Sequence, residues 1–301
     1  GGVVFSWLIT ALLTLFIAVC FAEVASMIPI VSGAMRFLRI THSRTLGFLF
    51  VVLGWVSYLV YLPLEAQSVV QYLGFWFPNL VVDGPNGVLL SYLGVFVAFL
   101  IMLSITYLNT YQLKSVAKVN NFVSVWKILL PIAIAVGMLA VYGSFDNYHA
   151  SNTHGNISFE NILLAITGSG LAFAFSGFQN GLVVANSAEN PKVAIPLSLF
   201  APVVVGLTMY LLLSLLFMFC IPTSKVGFDV SVAPLLGLLG LFGLHYIYTV
   251  LFIDAIVAPL GTSNVYAAVS GRVLQAFGLE FFKKSLLTKL NKNSVPIFCI
   301  W

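Results

Sequence analysis

Long apolar runs separated by short polar loops form the first pattern in this chain. Runs of at least ~18 residues, long enough to cross a bilayer, occur at about 3–22, 46–77, 88–109, 121–143, 161–188, 195–221 and 243–271. A last run, "VPIFCIW" (295–301), begins another. Each run predicts a membrane-spanning helix, so the expected fold class is an all-α polytopic membrane protein. Pro63, Pro131, and Pro259 with Gly261 predict interruptions in three of these spans. The span at 161–188 is different in kind. Its "LAFAFSGFQNGL" (171–182) puts Ser176, Gly177, Gln179, Asn180 and Gly181 at membrane depth, just after Gly170. In lipid, such a run leaves backbone groups without partners unless protein or a cavity supplies them. A broken helix is therefore predicted there. Discontinuous helices use unwound carbonyls and helix ends to hold charged groups of a ligand.

Composition removes the soluble classes. Hydrophobic residues make up 60% of the chain and charged residues 7%, with a mean hydropathy of +1.06; a soluble domain carries about 25% charged residues. The net charge of +4 does not point to nucleic acid, because the basic residues mark one membrane face. Of the 13 Lys and Arg residues, 11 fall at 36–44, 111–121, 188–196 and in the tail from Arg272 to Lys292. The alternate loops at 78–87, 143–160 and 222–231 carry Lys225, and Lys127 lies inside a span. Positive loops stay cytoplasmic, so the first segment is expected to start outside a multi-pass protein of the plasma membrane. The chain opens at Gly1 with neither a basic leader nor a cleavage site. It reads as an internal fragment of a longer polytopic protein, with residues 1–301 forming one transmembrane domain.

Chemistry of other kinds has little to stand on. Cys20, Cys220 and Cys299 are far apart, form no CxxC pair, and read as buried structural thiols rather than metal or redox groups. No Ser/His/Asp set, His-x-x-Glu pair or phosphate loop marks an enzyme, and no cofactor is expected.

The residues around the break resemble a known family. "FAFSGFQNGLVVANSAENPKVAIPLSL" (173–199) is similar to the sixth helix and following loop of the amino acid–polyamine–organocation (APC) transporters. The matching positions are Phe173, Phe175, Gly177 and Phe178, then Glu189, Asn190, Pro191 and Pro196. "SWLITALLTLFIAVCFAEVASMIPIVSGAMRFL" (6–38) resembles the second helix, through Ala22, Glu23, Ala25, Pro29 and Gly33. Gly54–Trp55 resembles the third helix, "KVNNFVSVWK" (118–127) the fifth and "SGRVLQAFG" (270–278) the end of the eighth. The resemblance implies a five-plus-five inverted-repeat fold, incomplete here, holding the second helix to the start of the ninth. It also implies amino acid transport, driven by proton symport or exchange, with an amino acid or related amine as substrate.

The same resemblance assigns roles. The break would bind the substrate amino group through the backbone of Phe173, Ala174, Phe175, Ser176 and Gly177, with an aromatic closing over it. Where many members have an acid shortly after the Gly-Phe pair, this chain has Gln179. Lys127 would take the place of the sodium ion of related symporters, with Thr262 and Ser263 on the "PLGTSN" turn as its neighbours. Snorkelling of the Lys127 stem to the interface is the alternative. Tyr58, Leu62 and Glu65 stand at i, i+4 and i+7, on one helix face, and resemble a wall of the substrate pocket, as does Tyr266. Glu65 could instead reach the outer interface. Asp254 is a third intramembrane charge, in the outer half of its span, and a candidate for proton coupling. A non-transporting amino-acid sensor of the same fold is the second reading and an ion channel the third.

Overall fold

Small residues decide where the first helix packs. In the computed structural model, α1 (Gly2–Met27) buries Ser6, Thr10, Ala11, Thr14, Ala18, Ala22 and Ala25. Without large side chains on that face, neighbouring backbones can approach closely. The hydroxyls of Thr10 and Thr14 donate to Ser6 O at 2.7 Å and Thr10 O at 2.8 Å, so they cost nothing in an apolar setting. Leu12, Leu13, Phe16 and Ile17 point outward, toward lipid. Cys20 shares that outer side and is exposed, correcting its reading as a buried thiol; Cys220 and Cys299 are buried.

The structure describes residues 2–27, 33–84, 87–110, 113–153, 158–168, 170–187, 190–221, 234–291 and 295–301. Pro29, Glu189 and the loop 222–231 with Lys225 lie outside them. After α1 come α2 (Gly33–Thr41), α3 (Arg44–Leu73), β1 (Val81–Gly84), β2 (Gly87–Leu90), α4 (Tyr92–Leu108) and α5 (Leu113–Tyr142). Then follow α6 (Phe145–Thr153), α7 (Phe159–Gly168), α8 (Leu171–Ala174), α9 (Pro191–Cys220), α10 (Pro234–Leu241), α11 (His245–Phe281) and α12 (Ile297–Ile300). Among the described residues, five helices are long and apolar enough to cross a membrane, or six if the bent pair at 159–182 is one span.

Three expectations change. Pro63, Pro131 and Pro259 do not interrupt their spans: α3, α5 and α11 run through them. A proline removes one helix bond, and within a membrane protein its surroundings can satisfy the freed carbonyl. The predicted "PLGTSN" turn is accordingly helix, with Thr262 Oγ1 donating to Ala258 O and Ser263 Oγ to Pro259 O. The predicted span at 88–109 is shortened to the 17 residues of α4. Its first residues instead form an antiparallel hairpin, Val81 pairing with Leu90 and Asp83 with Val88. Gln71 Nε2 ties that hairpin to α3 by donating to Val88 O at 2.9 Å.

The chain divides into two compact units, one of Gly1–Ala34 with Ile128–Phe228 and the other of Met35–Lys127 with Asp229–Trp301. In the first, α9 packs along α1, around Ala11, Phe175 and Val203. In the second, α3 and α11 pack along each other. Their ring contacts fix the direction: Phe48 meets Phe277, Tyr61 meets Tyr266 and Tyr72 meets Phe252. Rising numbers on α3 meet falling numbers on α11, so the two helices are antiparallel. Arg39 of α2 pairs with Glu280 near the end of α11.

Candidate substrate break and buried charge cluster

Glycine geometry makes the break. Gly170 (φ 77°) and Gly177 (φ 98°) both lie in the left-handed region, which L-residues with side chains enter only at a cost. Between them stands a single helical turn, α8, and beyond Gly177 the chain continues as a 3-10 helix, Phe178–Ser187. The pieces before and after Gly170 are bent by 54°. Polar groups inside the break partly satisfy one another: the Gly177 N–H donates to Gln179 Oε1 at 3.0 Å, and the Asn180 N–H to Gly177 O at 3.0 Å. Gln179 thus serves as a local backbone acceptor.

A clamp from two other helices holds the break open. Tyr210 of α9 donates its hydroxyl to Ala174 O at 2.8 Å. Its ring stacks on Trp7 of α1, with centroids 4.6 Å apart, and meets Phe175 edge-on at 5.4 Å. Trp7 in turn donates to Ser214 Oγ at 2.9 Å. Phe173 and Phe175 therefore part company. Phe175 is buried in this cluster, whereas Phe173 is 59% exposed. Ala174, Ser176 and Gly177 are half-buried. Trp7 and Tyr210 were not singled out from sequence; the one usable sign was a phenol inside the aliphatic run of α9.

The second unit gathers the intramembrane charges. Lys127 lies near the centre of α5, fourteen residues after Leu113 and fifteen before Tyr142. It stands six residues into the membrane span Asn121–Tyr142, ~9 Å along the helix from that span's start. Its ammonium donates to Thr262 Oγ1 on α11 at 3.1 Å. The antiparallel register puts Glu65 of α3 at about the level of Thr262. Asp254 sits eight residues before Thr262 on α11, ~12 Å along the axis. It is buried, and its Oδ1 has no partner among the described residues.

The remaining candidates are buried or half-buried in the same unit. Tyr58 and Tyr266 are buried, Tyr266 stacks on Tyr61 at 4.0 Å, and Ser263 is fully covered. Leu62 is half-buried on α3. A second polar link, from Asn109 Nδ2 to Asn264 Oδ1 at 2.7 Å, joins the end of α4 to α11 two residues from Lys127's partner.

Several apolar helices, one of them broken at two left-handed glycines, define an integral multi-pass membrane protein. The chain belongs to the amino acid permease family, whose family model matches residues 1–301. The APC resemblance read from the motifs thus holds along the whole chain. It is similar to the Aspartate-proton symporter of Bacillus subtilis (strain 168), 27% identical over 99% of this chain and 58% of the relative. The Glutamate/serine transporter AimA of the same organism is 27% identical over 96% of this chain and 55% of its own length. The Branched-chain amino acid permease BcaP, also from that organism, is 26% identical over the full chain and 65% of its own length. The chain therefore spans a little over half to two-thirds of the length of these curated relatives.

Proposed function

We propose that the full-length protein carries amino acids across the plasma membrane as a proton-coupled secondary transporter, by symport or exchange, with the first segment of this chain starting outside. The observation that supports the reading is Lys127, a cationic side chain inside the membrane span Asn121–Tyr142 whose ammonium donates to the Thr262 hydroxyl. An ammonium at a helix centre costs about 2.5–3.5 kcal/mol on insertion scales. A group retained at that cost is a candidate for function, and alternating between charged and neutral forms is work that couples protons to movement. A coupled relative named for proton symport agrees with this.

Substrate recognition is assigned to the break. The backbone of Phe173, Ala174, Phe175, Ser176 and Gly177 carries the polarity an amino acid's ammonium needs, and Phe173, the exposed ring, is the aromatic that closes over it. Ala174 O already accepts from Tyr210, Phe173 O from the Ser176 N–H and Gly177 O from the Asn180 N–H, so a substrate ammonium would share or displace these bonds. Coupling is assigned to Lys127 with Thr262, and to Asp254 eight residues earlier on α11.

Uptake of a panel of labelled amino acids by cells expressing the full-length protein tests this. The expected result is accumulation of at least one acid under an inward proton gradient, lost when the gradient is collapsed. Accumulation that ignores the gradient, or none with any amino acid, would contradict it.

A further inference from the structure

We propose that one end of the second unit, where α2, the start of α3 and the close of α11 meet, is a binding surface for anionic phospholipid headgroups. The inference goes beyond transport and does not depend on how transport is coupled. Both α3 and α11 are long enough to span, and they run antiparallel. Arg44 and Phe281 therefore mark the same end, where two spans leave the bilayer. Phe48 of α3 fixes the level, meeting Phe277 at 5.3 Å and Phe281 at 5.4 Å.

Charge at this end is one-sided. Residues 33–50 and 277–291 hold Arg36, Arg39, Arg44, Lys283, Lys284 and Lys289, against Glu280 alone. Glu280 is already engaged by Arg39. The Phe281 ring gathers two cations, since the Arg39 and Arg44 guanidinium carbons each lie 5.9 Å from its centroid. A ring attracts a cation but neutralises none. Among the described residues, Arg44, Lys283, Lys284 and Lys289 pair with no carboxylate, and all four are exposed. Lys283 and Lys284 follow Phe281 by two and three residues, at most ~11 Å of chain. Like charges that close, near the ~8 Å screening length of physiological salt, repel unless an anion lies among them.

Apolar surface decides which anion fits. Ile40, Leu46, Leu49, Phe282, Leu286 and Leu290 are exposed in the same segments as these basic side chains. A free phosphate has no use for them. An amphiphile with a phosphate head and acyl chains satisfies both kinds of surface.

The test titrates the full-length protein, in neutral detergent, with phosphatidylglycerol, phosphatidylcholine or inorganic phosphate and follows its melting temperature. Phosphatidylglycerol should raise the melting temperature saturably, and less so in high salt; the other two should not. Each basic residue near an anionic surface contributes about fivefold in affinity. Arg44→Gln combined with Lys284→Gln should therefore raise the half-saturating phosphatidylglycerol concentration by roughly tenfold or more. Lys192→Gln, in the first unit, should leave it within about twofold, since it lies outside the cluster. If the double variant does not fold, Lys283→Gln with Lys289→Gln, both outside helices, takes its place. An equal shift with phosphatidylcholine, or charge-removed variants that track the parent, would overturn the proposal and leave the cluster a topology signal. An equal shift with inorganic phosphate would overturn it too, because the surface would then hold free anions rather than lipid.

Discussion

Lys127 on α5 donates its ammonium to Thr262 Oγ1 on α11 at 3.1 Å, and that hydroxyl in turn donates to Ala258 O. The threonine therefore has its own proton committed to its helix and offers Lys127 a lone pair. Such a contact suits an ammonium and serves a neutral amine less well, which makes the bond between α5 and α11 dependent on the proton.

Removing the phenol that holds the break should loosen it. Tyr210→Phe deletes the bond to Ala174 O but keeps the ring stacked on Trp7. The loss expected is about 1 kcal/mol, seen as a fall of a few degrees in the melting temperature of the full-length protein, with weaker substrate affinity. An unchanged Tm would mean the carbonyl finds another donor at no cost.

Gly177→Leu should act more severely. At φ 98° a side chain is strained, by roughly 1–3 kcal/mol, and relief requires the chain to leave the left-handed region. The altered break should abolish substrate binding in the full-length protein while membrane insertion continues. Binding measured by ligand-induced thermal shift is the check, and a normal shift would show that the break's geometry is dispensable.

The break was legible because glycines and amides at membrane depth conflict with an unbroken helix. Its clamp was not, since Trp7 and Tyr210 come from helices far away in the chain and only packing brings them together. The prolines misled for a related reason. Local rules make Pro63, Pro131 and Pro259 look like breaks, yet tertiary surroundings let the helices continue. Lys127 was legible as an isolated charge in an apolar run; that α5 extends back to Leu113 was not, because the residues before 121 are polar enough to read as loop. The hairpin at 81–90 was hidden by Val88, Leu89 and Leu90, which read as the start of a span.

Orientation can be read by labelling. Asp83 on the hairpin and Lys284 after α11 are both exposed, and the charge bias puts them on opposite sides. In a full-length protein otherwise free of cysteine, Asp83→Cys should react with an impermeant thiol reagent added to intact cells. Lys284→Cys should react only after the cells are opened. The reverse pattern would invert the topology.

Proton movement on addition of substrate is the most direct test of the coupling claim. In lightly buffered suspensions of proteoliposomes holding the full-length protein, adding a transported amino acid should produce a pH change outside, in proportion to substrate taken up. Lys127→Ala should abolish that signal, and Lys127→Arg should abolish it too, because a guanidinium stays charged across the accessible range. A Lys127→Ala protein that still moves protons with its substrate would contradict the account.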